Sequence, residues 1–365
     1  MKLKEKGKKT IKLKKKLTAR EAGRISVREE PRSLYIISAA VRIGEAVVRV
    51  LLSVAFLGGI LLLLSCSSIY GYSEPEDRYI VSALGFDEKE GSFEVSVSVV
   101  DGEETRVFRG IGDSVDHAMS HIKGADAKQL ELSHLAVIVI GNSIDDESLS
   151  EVLAYCQNND DITIGVRLAS AHNAAELLSL DGSDGYTLTG AFRDGKDGSG
   201  FAGGSRFYEL ENDRISDSRG RVCHMPYFSV GEEGYYLDGL KIYGVFGWVR
   251  LDRVESAYYM MLRGEFSAGP LDMEYGGEAH GVLVSSCHTL YRYEDGRIGI
   301  VCKLGITSEY LSESDASAAM KACSDKAESL CRQLFDRYGD IMGIGKRIGL
   351  AAIAAEDIFV ECKIE

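Results

Sequence analysis

Cys66 carries the most definite chemistry in this 365-residue sequence. In Leu63-Leu64-Ser65-Cys66 a large aliphatic side chain stands three residues before the thiol and a small one stands immediately before it. The arrangement resembles a bacterial lipobox. There the thiol takes a diacylglycerol in thioether linkage, the chain is cut before the cysteine, and the new amino group takes a further acyl chain. Stable anchoring needs two or more such chains, because one alone binds a membrane only marginally. The alternative is an uncleaved signal anchor in which Cys66 is incidental.

Other residues of chemical interest fall short of a site. His117 and His121 are spaced i, i+4 and share a helix face, but Ala118 stands where a zinc protease needs Glu. His134 sits in an apolar run and reads as a structural histidine inside a strand. Cys223-His224 and Cys287-His288 are adjacent pairs, and neighbours on a strand point to opposite faces, which makes them poor bidentate ligands. The sequence holds no Gly-x-Ser-x-Gly elbow. Gly343-Ile-Gly345 with Gly349 echoes a dinucleotide loop but follows a helical pattern rather than a strand. Asp213 and Asp217 read as solvated acids. Cys156, Cys223, Cys287, Cys302, Cys323, Cys331 and Cys362 include no CxxC pair, so neither a zinc ribbon nor a redox motif is indicated. No catalytic residues, metal ligands or cofactor beyond a covalent lipid on Cys66 are expected.

The elements around Cys66 fit export. Residues 1–65 carry 15 Lys+Arg against 5 Asp+Glu, and the remainder carries 27 against 51. A basic head followed by the apolar run from Val50 to Ser65 is an export pattern, with the basic flank inside and the residues after Cys66 outside. The run is the length of a signal h-region and short of the ~20 apolar residues of a comfortable membrane span. Residues 1–45, with nine lysines between Lys2 and Lys16, are longer than an ordinary n-region. They are either a cytoplasmic tail or lie upstream of a start at a non-Met codon near Leu34 or Val47. The acidic remainder lacks the basic stripe of a nucleic-acid partner.

Periodicity beyond the tether 66–77 predicts an α+β protein. Strands are expected at Tyr79–Phe86 and Phe93–Val100 around a turn at Asp87–Gly91, with a third beginning at Val107. A helix follows Asp113, a buried strand spans Leu130–Ile140, Ser148–Cys156 is helical, Ile162–Ala169 is a strand, and Asn173–Ser179 is a short helix. This gives an N-terminal α+β domain over 78–180. Residues 181–234, rich in Gly and Asp, read as a linker or a reduced middle domain. A C-terminal α+β domain over 235–365 holds strands in Leu240–Leu251, a helix over Asp252–Leu262 and a long hairpin around Asp295-Gly296. A helix over Ser314–Tyr338 shows a stripe of Met320, Cys323, Ala327, Leu330, Leu334 and Tyr338, and Ile358–Ile364 is a final strand.

The order of these pieces resembles the C-subunit lipoproteins of spore germinant receptors, the GerAC-type family. The resemblance rests on the lipobox, Tyr79-Ile-Val-Ser-Ala-Leu-Gly-Phe-Asp87, Leu132-Ser-His-Leu-Ala-Val-Ile-Val-Ile-Gly141 and Asn159-Asp-Asp-Ile-Thr-Ile-Gly-Val-Arg167. It continues through Leu240 to Trp248, Met261-Leu-Arg-Gly264 and Asp340-Ile-Met-Gly-Ile-Gly345. Ser67 and Ser68 stand where the family has a Trp soon after the lipidated cysteine. The resemblance implies a multi-domain α+β ectodomain with mixed or antiparallel sheets, packed helices and a long C-terminal helix. It further implies a non-catalytic lipoprotein on the outer face of the cytoplasmic (spore inner) membrane, working with two integral-membrane subunits, A-type and B-type. A solute-binding lipoprotein of a transport system would instead show repeated βα units in two lobes, and a surface hydrolase would show a paired nucleophile and base.

Overall fold

The computed structural model describes residues 32–69, 77–102, 104–125, 128–191, 203–215, 222–244, 247–306, 313–350 and 353–365. The chain divides into two units, Met1–Tyr72 and Ser73–Glu365. The first contains a long helix, α1 (Arg32–Ile69).

The second unit is α+β and holds two mixed sheets among its described residues. The larger sheet runs β3 (Glu104–Gly112), β2 (Ser92–Asp101), β1 (Arg78–Lys89), β5 (Val137–Gly141), β6 (Arg167–Ala171), β7 (Cys223–Gly231), β8 (Gly234–Gly244), β9 (Gly247–Asp252). The short β4 (Gln129–Glu131) pairs with β1 off this path. Hairpins at the two ends are antiparallel, while β1, β5, β6 and β7 run parallel in the middle. Central strands are covered on both faces, which is why Val137–Gly141 is an unbroken buried run rather than an alternating one. Ile138 and Ile140 face the core that takes in α2 (Val115–Ala125) and α3 (Asp146–Asn158). Val137 and Val139 face a smaller one made with α4 (Ala174–Leu178) and Leu188 of α5 (Gly185–Gly190).

The smaller sheet runs β10 (Gly269–Tyr275), β11 (Glu278–Glu294), β12 (Arg297–Ile306), β13 (Ile358–Ile364). Its inner face packs on α7 (Arg253–Leu262) and on the long α8 (Glu313–Tyr338). The α8 stripe Met320, Cys323, Ala327, Leu330 and Leu334 is buried as its spacing predicts. Leu240, Ile242, Val249 and Leu251 of β8 and β9 join the same core, so α7 is shared between the two sheets. Asp252 starts α7 with a full capping box, exchanging backbone and side-chain bonds with Glu255. The hairpins at Glu90-Gly91, Gly276-Gly277 and Asp295-Gly296 each use a two-residue turn with positive φ at both positions, the geometry that matches strand twist.

Local readings of the sequence differ from the structure at several points. Leu130–Ile140 is not one strand. Leu135 N–H bonds back to the Leu132 carbonyl and both leucines turn inward, which leaves Ser133 and His134 exposed in a turn. His134 is therefore not a histidine of a buried strand. Ile162–Val166 forms turns closed by Ile162 N–H to Asn159 O and Val166 N–H to Thr163 O, with Ile164 exposed, so β6 starts only at Arg167. The stretch 181–234 contributes α5, α6 (Phe207–Ile215) and β7. The larger sheet is hydrogen-bonded continuously through the β7–β8 hairpin around residue 233.

Candidate functional site

The first candidate lies on α1. Its window Arg42–Ile60 is 19 residues long, with mean hydropathy 1.9 and none of it buried, so it is long and apolar enough to cross a membrane. A signal sequence meets the same test. Val47, Val48, Val50, Leu51, Leu52, Val54, Phe56 and Leu57 are 51% to 73% exposed. At about 25 cal/mol per Å² of apolar surface, such a helix is stabilised by lipid and not by water. Leu63, Leu64, Ser65 and Cys66 fall in the last turns of α1, and their side chains lie outside the described residues.

In the second unit, two of the motifs that carry the family resemblance resolve into carboxylate caps. Asp87, at the end of β1, is buried and accepts the backbone N–H groups of Ala174 and Ala175 at 3.0 and 2.8 Å. Gly141 is the glycine this needs, because a Cβ there would lie 1.9 Å from Asp87 Oδ1. Burial pushes the Asp87 carboxyl up, and the two amides only partly offset it. Asp340 repeats the arrangement on α9 (Ile344–Ile348), accepting Ile344 N–H at 2.8 Å and Gly345 N–H at 2.7 Å. Both aspartates act on backbone and so hold the fold together.

A charged cluster assembles from residues that are distant in sequence. Arg263, the C-cap of α7, donates Nε to Glu265 Oε2 at 3.1 Å and Nη2 to Oε1 at 2.9 Å, a two-point fork. Arg347 of α9 donates Nη2 to the same Oε1 at 3.0 Å. Arg263 Nη1 also donates to Tyr259 Oη at 3.3 Å, and Tyr259 Oη donates to the Ile341 carbonyl at 3.4 Å. His224 of β7 places Nε2 3.9 Å from Glu265 Oε2, and its buried Nδ1 has no hydrogen-bond partner among the described residues. Burial would raise the Glu265 carboxyl, but the Arg263 guanidinium beside it outweighs this and holds it below the usual carboxylate range. Burial, reinforced by Arg263, pushes the His224 imidazole down to about 4, so it is neutral at pH 7. The cluster lines a cleft of about 890 Å³, whose other walls include Ser205, Tyr208, Glu209, Met342 and Lys346.

Sequence reasoning named Arg263 only as part of Met261–Gly264 and set His224 aside beside Cys223. No spacing rule links residues 224, 263, 265 and 347, and only the fold brings them together. His117 and His121 do meet, with ring centroids 4.5 Å apart, and His117 Nδ1 pairs with Asp113 at 2.6 Å. None of the seven cysteines beyond Cys66 forms a disulfide among the described residues, and all but the half-buried Cys287 are buried.

Comparison with known proteins finds a likeness over part of the chain. Residues 71–230 match the family model for the spore germination protein N-terminal domain. Over that stretch the chain is similar to the GerAC-type spore germination proteins. The crystal structure of the GerBC protein aligns with 77% of this chain and 96% of its own, at 14% identity and a TM-score of 0.41. None of the curated proteins matches the sequence.

Proposed function

We propose that this protein is a non-catalytic, lipid-anchored C subunit of a nutrient-germinant receptor. Cys66 carries a diacylglycerol and an N-acyl chain, and the second unit stands on the outer face of the spore inner membrane. One observation carries the reading. The germination-protein domain starts at residue 71, five residues beyond Cys66, directly after an exposed apolar helix. Confinement to the membrane surface raises the local concentration of the domain, so that weak contacts with two integral-membrane subunits, A-type and B-type, become persistent.

The test is intact mass and detergent partitioning of the chain expressed in a Gram-positive host, beside Cys66→Ala. The reading expects a mature form that starts at an acylated Cys66 and partitions into detergent. The variant should stay uncut and lack the acyl mass. An uncut, unacylated wild type would make α1 a signal anchor and remove the lipid from the proposal.

A further inference from the structure

The second unit belongs to a strongly acidic stretch, with 27 Lys+Arg against 51 Asp+Glu after residue 65. The cleft beside α9 runs against that trend. Its walls bring three permanent cations, Arg263, Lys346 and Arg347, to two carboxylates, Glu209 and Glu265. His224 adds no charge at neutral pH.

The two carboxylates are already engaged. Glu265 is held by both arginines, and Glu209 accepts the backbone N–H of Arg206 at 2.7 Å and the Tyr208 hydroxyl at 3.3 Å. Lys346 is exposed and has no carboxylate within ion-pair distance among the described residues. Arg347 spends one nitrogen on Glu265, and its guanidinium stands 5.5 Å from the centre of the Tyr291 ring. The surplus is therefore positive and sits at the mouth of a volume within the range of small-molecule sites, roughly 300–1,000 Å³.

We propose that this cleft binds a small soluble oxyanion, a carboxylate or a phosphate, through Lys346 and Arg347, with His224 and Tyr208 as neutral polar walls. The Glu265 fork to Arg263 keeps the floor rigid and prevents Arg263 from being drawn out to the ligand. Selectivity against cations follows from the surplus charge. Selectivity among anions is left to the hydrogen-bonding groups of Tyr208 and Ser205. The site does not depend on the lipid anchor.

The experiment uses the full chain in neutral detergent, with thermal unfolding followed during titration by inorganic phosphate and, separately, by succinate. Ionic strength is held constant with sodium chloride, so that general screening is the same throughout. A ligand that binds only the folded state raises the midpoint in a saturable way. The proposal expects such a rise with at least one of the two anions. Lys346→Glu should weaken the binding by about tenfold or more, as for loss of one charge-assisted contact with added repulsion. Lys89→Glu, the same charge change on the β1–β2 turn, should leave it intact. Because both lysines are exposed, folding is expected to survive and is checked by circular dichroism. No saturable rise with either anion overturns the proposal. So does an equal loss in both variants, which would mean a response to net charge alone.

Discussion

Asp87 and Asp340 do the same thing in two halves of one unit, and their surroundings separate structure from function. Each is a carboxylate that accepts two backbone N–H groups at the start of a short helix. Each has a glycine facing it. Around Asp87 the packing is closed. The side chain is 3% exposed, and its helix, α4, buries Ala174, Ala175, Leu177 and Leu178 against the larger sheet. Around Asp340 the packing opens. Its helix, α9, carries Lys346 and Arg347 to the edge of the cleft and delivers Arg347 to Glu265. The same local device fixes a core in one place and holds the wall of a charged cleft in the other. A buried acid in a recognisable motif is therefore not itself a sign of chemistry. What it positions decides.

The comparison breaks most severely at Glu265. Its partner Arg263 has a side chain only 12% exposed, so removing the carboxylate charge leaves a guanidinium buried without an anion. Breaking one side of a buried pair costs about 3–5 kcal/mol. Glu265→Gln should lower stability by that amount in chemical denaturation of the full chain. A loss below about 1 kcal/mol would show that the cleft cluster behaves as an exposed surface pair.

The two facing glycines sharpen the contrast on a smaller scale. A Cβ at Gly141 would sit 1.9 Å from Asp87 Oδ1 and 3.0 Å from the Phe86 carbonyl, with closed packing on all sides. Gly141→Ala should cost about 3 kcal/mol, at the upper end of overpacking effects. At Gly345 the nearest atoms are the Leu350 carbonyl at 2.9 Å, with Asp340 Oδ2 and Ile353 Cδ1 each at 3.0 Å. These overlaps are smaller than the one at Gly141, although the first is with backbone, so Gly345→Ala should cost less, about 1–2 kcal/mol. Equal losses in parallel melts would remove the distinction between a closed cap and an open one.

Much of this scaffold was legible from local pattern. The turns at Glu90-Gly91 and Asp295-Gly296, the helix over Asp252–Leu262, the α8 stripe and the final strand Ile358–Ile364 depend on residues a few positions apart, and a sequence displays those directly. Leu130–Ile140 misled because Leu132 and Leu135 are buried from a turn, and burial without alternation looks the same in a strand. Cys223–Gly231 and Gly269–Tyr275 gave weak signals because each owes its strand to partners elsewhere in the sheets. The cleft was invisible for a deeper reason. Its charges come from α6, the end of α7 and α9, and each of them taken alone is an ordinary polar residue.

His224 offers the finest probe of how buried the open side is. Its folded-state pKa lies near 4, against an ordinary value of 6.5, because burial and then Arg263 disfavour the charged ring. Between those values the unfolded chain binds a proton that the folded chain refuses. Stability present above pH 6.5 is therefore lost as the pH falls towards 4, by about 2 kcal/mol at pH 5 for a shift of this size. Asp87 and Asp340 are shifted upward, so their contribution has the opposite sign, and Glu265 adds its own loss lower down as it is protonated. Subtracting the profile of His224→Gln isolates the histidine, since the other groups titrate in both proteins. A difference curve that steepens between pH 6.5 and 5 would place the imidazole in a desolvated wall of the cleft. A flat one would mean that water reaches it freely, and the cleft would then be wider and weaker as an anion site than its geometry implies.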